Sequence, residues 1–138
     1  MQTINQVMTP DIVIARPEQT IADAARMMAK ADIGSLPVGD DDRLVGMLTD
    51  RDIVIRAVAQ GLPADTPVRD VMTGTIRYCY DDQDVAEVAR NMAELGVRRL
   101  PVVNRDKRIV GFVALSNIAQ ADSEGAKDAF LRGVATPH

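Results

Sequence analysis

The scarcest chemistry in this chain is a single cysteine, Cys79, and a single histidine, His138. One thiol excludes an internal disulfide and a thiolate metal cluster. The one imidazole sits on the last residue, where fraying is expected, and that all but excludes Ser-His catalysis and a histidine-built metal centre. Aromatic residues are only 3% of the chain, with no Trp. That argues against a stacking platform for single-stranded nucleic acid, and it leaves the core to Ile, Val, Leu, Met and Ala. No apolar run nears the length of a membrane span, and the opening residues lack the basic-then-apolar order of a secretion signal. The expected location is therefore cytoplasmic, with no membrane partner. A net charge of −4 gives no general attraction for nucleic acid or anionic lipid. No nucleophile–base pair and no paired carboxylates in an apolar setting stand out, so the chain does not read as an enzyme.

What is present is ordinary in amount: 46% hydrophobic and 26% charged residues in 138. Such a chain makes one domain, or two small units sharing a core. Its order is more informative. Val7-Met8-Thr9 returns as Val71-Met72-Thr73, an offset of 64 that also pairs Ala22 with Ala86, Arg26 with Arg90, Met28 with Met92, and Leu36-Pro37-Val38 with Leu100-Pro101-Val102. One extra residue in the second turn shifts the offset to 65 and aligns Val45-Gly46 with Val110-Gly111. This is an internal duplication.

The duplicated unit reads as a turn, strand, helix, hairpin and helix. Thr3 to Met8 predicts a capped helical turn, and Asp11 to Ala15 an apolar strand. Thr20 caps a helix carrying Ile21, Ala24, Ala25, Met28 and Ala29 on one face. Thr66 caps the second opening turn, with Pro67 at its first position. The expected boundaries are a first copy over 3–60, a linker over 61–66, a second copy over 67–121 and a tail over 122–138. Within the tail, 123–134 predicts an amphipathic helix bearing Ala126, Ala129, Phe130 and Val134.

The stretch from Ile33 to Ile53 is the candidate site. Two apolar runs flank an acidic turn and predict a hairpin. Thr49 then starts a helix expected over 50–60 and closed by Gly61, with Asp50 and Asp52 in its first turn. A strand that runs into a helix start exposes amide donors suited to a phosphate. Thr49 and Asp52, three apart, project together: one donates to phosphate oxygen, the other accepts from ribose hydroxyls.

Two copies, each with an L-P-V strand and a hairpin, and the first with the helix start G-M-L-T-D-R-D, resemble a CBS-domain pair, or Bateman module, from about Thr3 to Ala121. The run D-I-G-S-L-P-V with G-M-L-T-D-R-D-I-V-I-R is similar to small two-CBS bacterial proteins of the hypoxic-response type. The resemblance implies an α+β (α/β) fold of two β-α-β-β-α repeats about a pseudo-twofold axis, with clefts between the repeats. It implies a non-enzymatic regulatory module for an adenosine nucleotide, AMP, ADP or ATP, or sometimes an S-adenosyl compound, with no required cofactor. It also implies a homodimer of four repeats and an unidentified protein target.

Carried over residue by residue, the resemblance gives a main ligand set. Met47 lines base or ribose, Thr49 and Arg51 approach phosphate, and Asp52 takes the ribose. Thr73, Ile76 and Tyr78 edge the adenine, Val97 and Pro101 wall it, and Arg98 and Arg99 offer cationic forks. The second set is poorer: Thr9, Ile12, Ile33, Gly34, Ser35, Pro37, Ser116 and Asn117. There G-F-V-A-L-S-N puts Ala114 at the Thr49 position and Asn117 at the Asp52 position. The expectation is one competent site and one degenerate.

Plainer readings stand beside these. Thr49 and Asp52 serve equally as helix caps. Arg98 and Arg99 can pair with Asp50 or Glu94. Asp40-Asp41-Asp42 lacks the spacing of a calcium loop and predicts a solvated turn. The methionines read as core filler. Cys79 reads as a small, partly buried side chain; a redox role needs a nearby cation, for which Arg77 is the candidate. The alternative function is a ligand-free structural, dimerisation or partner-binding module.

Overall fold

The computed structural model describes residues 2–74 and 76–119. The helix expected over 123–134 and His138 lie outside them. The chain divides into two compact units, Val13–Ile76 and a second made of Met1–Ile12 with Arg77–His138. The spatial division is therefore offset from the sequence repeat. Each copy's opening turn folds into the unit that holds the other copy's hairpin.

The unit Val13–Ile76 is built on α1 (Ile21–Ala31) and the antiparallel hairpin β1 (Ser35–Asp40) and β2 (Arg43–Thr49). Thr20 Oγ1 accepts from the Asp23 amide at 3.1 Å and starts α1 as a cap should. Ile21, Ala24 and Met28 are buried along one stripe. Ala25 and Ala29, expected on that stripe, are exposed: at 100° per residue they lie at its edge. The β1–β2 turn places Asp41 and Asp42 at φ 52° and 64°. Two successive positive φ values suit a two-residue hairpin turn, and Asp tolerates them.

Two expectations fail in this unit. Asp11–Ala15 is not a strand: only Ala15 pairs, as a single parallel bridge to Val38, and Asp11 at φ 55° breaks the extended run. The helix over 50–60 is α-helical only for α2 (Asp50–Asp52), then continues with wider i→i+5 bonds over Ile53–Val58. The change begins at Ile53-Val54-Ile55, three β-branched residues that crowd the preceding turn.

The other unit repeats the plan: β3 (Cys79–Tyr80), α3 (Val85–Leu95), β4 (Arg99–Val103), β5 (Ile109–Ala114) and α4 (Leu115–Ala119). The sheet order is β3-β4-β5, with β3 parallel to β4 and β5 antiparallel. Here the first strand does form a two-residue ladder, completing β-α-β-β-α. Asp84 caps α3, whose Val85, Val88, Ala89 and Met92 are buried, and Gly96 ends it at φ 69°, a left-handed position where glycine carries no Cβ penalty.

Each core is closed by a 3₁₀ turn from the far end of its unit. Ile4, in the turn Ile4–Gln6, joins Cys79, Val88, Met92, Val102 and Ile118. Val68 and Val71, in and beside the turn Val68–Asp70, join Ala15, Ile21, Leu36 and Leu48. The turns are tied by matching backbone bonds, Ile4 N to Gln83 O at 2.9 Å and Val68 N to Gln19 O at 2.7 Å. Thr66 does not cap its turn. Its Oγ1 donates to Pro63 O at 2.6 Å, and Pro67 takes the cap position instead.

Beyond each turn the chain lies against the last strand of its unit's hairpin, β2 in one unit and β5 in the other. Thr73 exchanges backbone bonds with Met47 at 2.8 and 3.0 Å, and Thr9 with Phe112 at 2.7 and 3.0 Å. Both contacts pass over a glycine. A Cβ on Gly46 sits 2.8 Å from Thr73 O, and one on Gly111 sits 2.6 Å from Thr9 O. Gly111→Ala should therefore destabilise the protein by about 1–3 kcal/mol in a urea titration. Gly74→Ala, where a Cβ meets nothing within 4 Å, should change stability by less than about 0.5 kcal/mol. Equal effects from the two substitutions contradict the packing argument.

Candidate functional site

β2 delivers Thr49 in extended conformation, φ −114° and ψ 161°, straight into α2. The side chains of the first turn then close on the backbone reciprocally. Thr49 Oγ1 accepts from the Asp52 amide at 3.0 Å, and Asp52 Oδ2 accepts from the Thr49 amide at 3.0 Å. This capping box fixes both rotamers at once. The capping reading of these residues thus holds, and it leaves Asp52 Oδ1 and the remaining lone pair of Thr49 Oγ1 for other partners.

Other residues of the main set share this unit. Thr73 is bridged to Met47, two residues before Thr49. Arg51 is exposed and Ile76 half-buried. In the antiparallel register Met47 faces Pro37 and Thr49 faces Ser35, so residues assigned to separate ligand sets are cross-strand neighbours. Gly34 O accepts from the Asp50 amide at 2.9 Å; Ile33 packs against the unit's core.

A residue that sequence reasoning missed is Arg56. Its Nη1 donates to Val71 O at 3.3 Å and Met72 O at 3.2 Å, and its Nε lies 3.8 Å from Asp52 Oδ1. The signal was available: an acid followed four residues later by arginine on a helical face is a natural ion pair.

The remaining main-set residues belong to the other unit. Tyr78 and Val97 are half-buried, Pro101 is buried, and Arg98 and Arg99 are exposed, with no ion pair among the described residues of their unit. Glu94, one of the alternative partners expected for Arg98 and Arg99, pairs with neither. Tyr78 is held in a ladder. Its ring meets Tyr80 edge-on at 5.7 Å, Lys107 Nζ lies 5.9 Å from it, and Arg105 covers Tyr80 at 4.0 Å. Arg105 also grips Asp82 through Nε and Nη2 at 2.9 and 2.7 Å, and that bonding lowers the Asp82 carboxyl below its ordinary pKa. Tyr78, Tyr80, Arg77, Asn91 and Glu94 line a groove of about 450 Å³ in this unit.

The second set shows what the duplication lost. Asn117 Oδ1 still accepts from the Ala114 amide at 2.9 Å, as Asp52 does from Thr49. Ala114 has no hydroxyl to return the bond, so the box is half made. Phe112 stands at the Met47 position, bridged to Thr9. Ser116 is exposed and Ile12 half-buried.

Cys79 is in β3 and only 3% exposed, more buried than expected. Burial, then the negative charge of Asp81, pushes its thiol up to about 12. A redox thiol needs the opposite shift. The buried thiol is neutral, while in the unfolded chain it ionises near its ordinary value of about 8.5. Its contribution to stability is therefore whole below that pH and declines as pH rises toward 12, by at most about 1.4 kcal/mol per pH unit. Cys79→Ala should flatten the loss of stability between pH 9 and 11 in urea titrations. In the native protein at pH 8, iodoacetamide should label Cys79 at least about tenfold more slowly than in urea. Equal labelling rates contradict the burial.

Comparison with known proteins bears on these geometries. The family model for the CBS domain matches twice, over residues 4–58 and 68–124. Hypoxic response protein 1 of Mycobacterium tuberculosis is 37% identical over 139 aligned positions, covering 99% of this chain and 96% of that protein. The solved structure of Hypoxic Response Protein I with two coordinated zinc ions is 37% identical with TM-score 0.77, covering 88% of this chain and 100% of that one. CBSX2 in complex with AMP is 26% identical with TM-score 0.73, covering 85% and 93%. The CBS domain pair of MJ0100, in complex with 5′-methylthioadenosine and S-adenosyl-L-methionine, is 27% identical with TM-score 0.71, covering 87% and 94%. Among the described residues no three His, Cys, Asp or Glu gather as a metal site. No helix among them is long and apolar enough to cross a membrane. With both copies matched and the fold shared along nearly the whole of these relatives, the chain belongs to the CBS-domain family as a tandem pair.

Proposed function

We propose that this protein is a non-enzymatic regulatory module that binds an adenosine nucleotide, AMP, ADP or ATP, and that reads cellular energy state. The Thr49–Asp52 capping box carries the proposal: three residues apart it holds a threonine hydroxyl whose proton can donate to a phosphate and a carboxylate whose Oδ1 can accept from a ribose. Structural neighbours bound to AMP or to S-adenosyl compounds support it. In this reading Asp52 takes the ribose hydroxyls, Thr49 and Arg51 the phosphates, Met47, Thr73, Ile76 and Tyr78 the adenine, with Val97 and Pro101 as apolar wall. Arg98 and Arg99 add charge for the phosphate chain. The set with Thr9, Ile12, Ile33, Gly34, Ser35, Pro37, Ser116 and Asn117 is the degenerate one, since Ala114 supplies no hydroxyl. The protein acts in the cytoplasm on a protein target.

We also propose a homodimer. Val54, Ile55 and Val58 are 54%, 46% and 66% exposed on one short helical stretch, and apolar surface of this kind favours burial against a second copy. Val58→Glu should convert the dimer to monomer in light scattering at micromolar concentration; a wild-type monomer contradicts the assembly.

Calorimetric titration with AMP, ADP, ATP and S-adenosylmethionine tests the ligand. Binding of one adenosine nucleotide, with stabilisation by about 2.7 kcal/mol at a hundredfold excess over Kd, is expected. Asp52→Asn should weaken it about tenfold or more, the worth of a charged hydrogen bond, while Asn117→Ala leaves it unchanged. Arg98→Ala with Arg99→Ala should weaken ATP more than AMP. No heat and no thermal shift with any of the four at millimolar concentration overturns the assignment. Retained binding with Asp52→Asn moves it away from this turn.

A further inference from the structure

Arg56 has no role in the readings above, yet its guanidinium reaches two backbone carbonyls and a carboxylate. Its guanidinium spans from the helix that carries Asp52 to the strand-like segment that carries Thr73. One end donates to the carbonyls of Val71 and Met72 at 3.3 and 3.2 Å. The other lies 3.8 Å from Asp52 Oδ1, the oxygen that the capping box leaves over. Asp52 is 15% exposed and Arg56 51% at the side chain, so the acid is shielded while the arginine lies over it. A planar fork with five donors can serve two carbonyls and a carboxylate together; a lysine ammonium holds one point only.

We propose that Arg56 is a positioning residue for the ribose end of the site: it sets the lateral freedom of Asp52 Oδ1 and ties it to the backbone just before Thr73. The proposal rests on the nucleotide reading above for its ligand half, but its structural half stands alone. Two features favour positioning over a surface ion pair. The carbonyl bonds fall on the two residues before Thr73, whose amide bonds Met47 O at 2.8 Å. Moreover, Met72 also packs its sulfur under Gly46, 2.8 Å from where a Cβ would sit, so a shift of the 71–73 backbone has little slack to absorb it. In the capping box Oδ2 is already committed to the Thr49 amide. Arg56 therefore faces the carboxylate oxygen of Asp52 that the capping box leaves wholly uncommitted.

The test uses the full chain with Arg56→Gln and Arg56→Lys. Amide hydrogen exchange in the ligand-free protein is the first readout. Arg56→Gln should speed exchange at Thr73 by about tenfold, the worth of the two lost carbonyl bonds, and leave Phe112, bonded to Thr9 O in the other unit, unchanged as an internal control. Arg56→Lys should fall between. Unaltered Thr73 exchange, or equal acceleration at Thr73 and Phe112, overturns the proposal. The second readout is the ratio of Kd for 2′-deoxy-ADP to that for ADP. The wild type should prefer the ribose nucleotide about tenfold, and Arg56→Gln should bring that ratio toward one without changing the ADP-to-AMP ratio. A ribose preference that survives Arg56→Gln overturns the positioning role. A wild type that binds neither nucleotide sinks the ligand assignment, and the exchange result then decides the structural half by itself.

Discussion

Everything in this fold depends on a pair of backbone exchanges over glycine. Thr73 lies against Met47 and Thr9 against Phe112, each at full hydrogen-bonding distance, because Gly46 and Gly111 present no side chain beneath them. The exchanges complete each unit with a segment far away in sequence. They also carry a buried hydrophobe with them, Ile4 into one core and Val68 into the other. Burial of one such side chain contributes about 1.5–3 kcal/mol, a large part of the net stability of a small domain. The glycines permit the approach, and the hydrophobes make it favourable.

The same exchange sets up the candidate site. Met47 is bonded to Thr73 and Thr49 pairs with Ser35, so the strand stays paired up to the point where α2 starts. The capping box then locks Thr49 and Asp52 from within. Where the second copy keeps the exchange but has Ala114 for Thr49, the turn survives on one bond from Ala114 N to Asn117. Fold and recognition chemistry thus separate cleanly in the duplication. Packing residues such as Val71, Met72, Leu100 and Val102 kept their type, while the polar pair did not.

Much of this was legible in the order of residues. The offset between Val7-Met8-Thr9 and Val71-Met72-Thr73 announced the duplication; Thr20 and Thr49 announced helix starts, and both cap as their chemistry dictates. What failed to show has local causes. Asp11 adopts a left-handed conformation that apolar patterning over 11–15 does not reveal. Ile53-Val54-Ile55 reads as helix by period, yet three branched side chains widen the turn. Ala25 and Ala29 recur at helical spacing, but alanine is tolerated equally inside and out, so its burial carries little signal. The regrouping of opening turns was also hidden, since a repeat in sequence says which segments are alike and not which pack together.

The candidate site was legible in kind more than in support. Thr49 and Asp52 declare themselves by spacing. Arg56 declares only its i,i+4 spacing to Asp52, because its other partners are carbonyls, which every residue owns and no sequence distinguishes. This is the general difficulty with positioning residues: their targets are backbone atoms set by the fold. An arginine one turn after an acid is common, and on most surfaces it contributes little. Here the acid is shielded, its second oxygen is already bonded, and the arginine's other contacts fall where a distant segment docks. Those three circumstances convert an ordinary i,i+4 pair into a link between two parts of one site. A substitution at Arg56 therefore belongs with those at Asp52 and Thr73, although the guanidinium stays half in solvent.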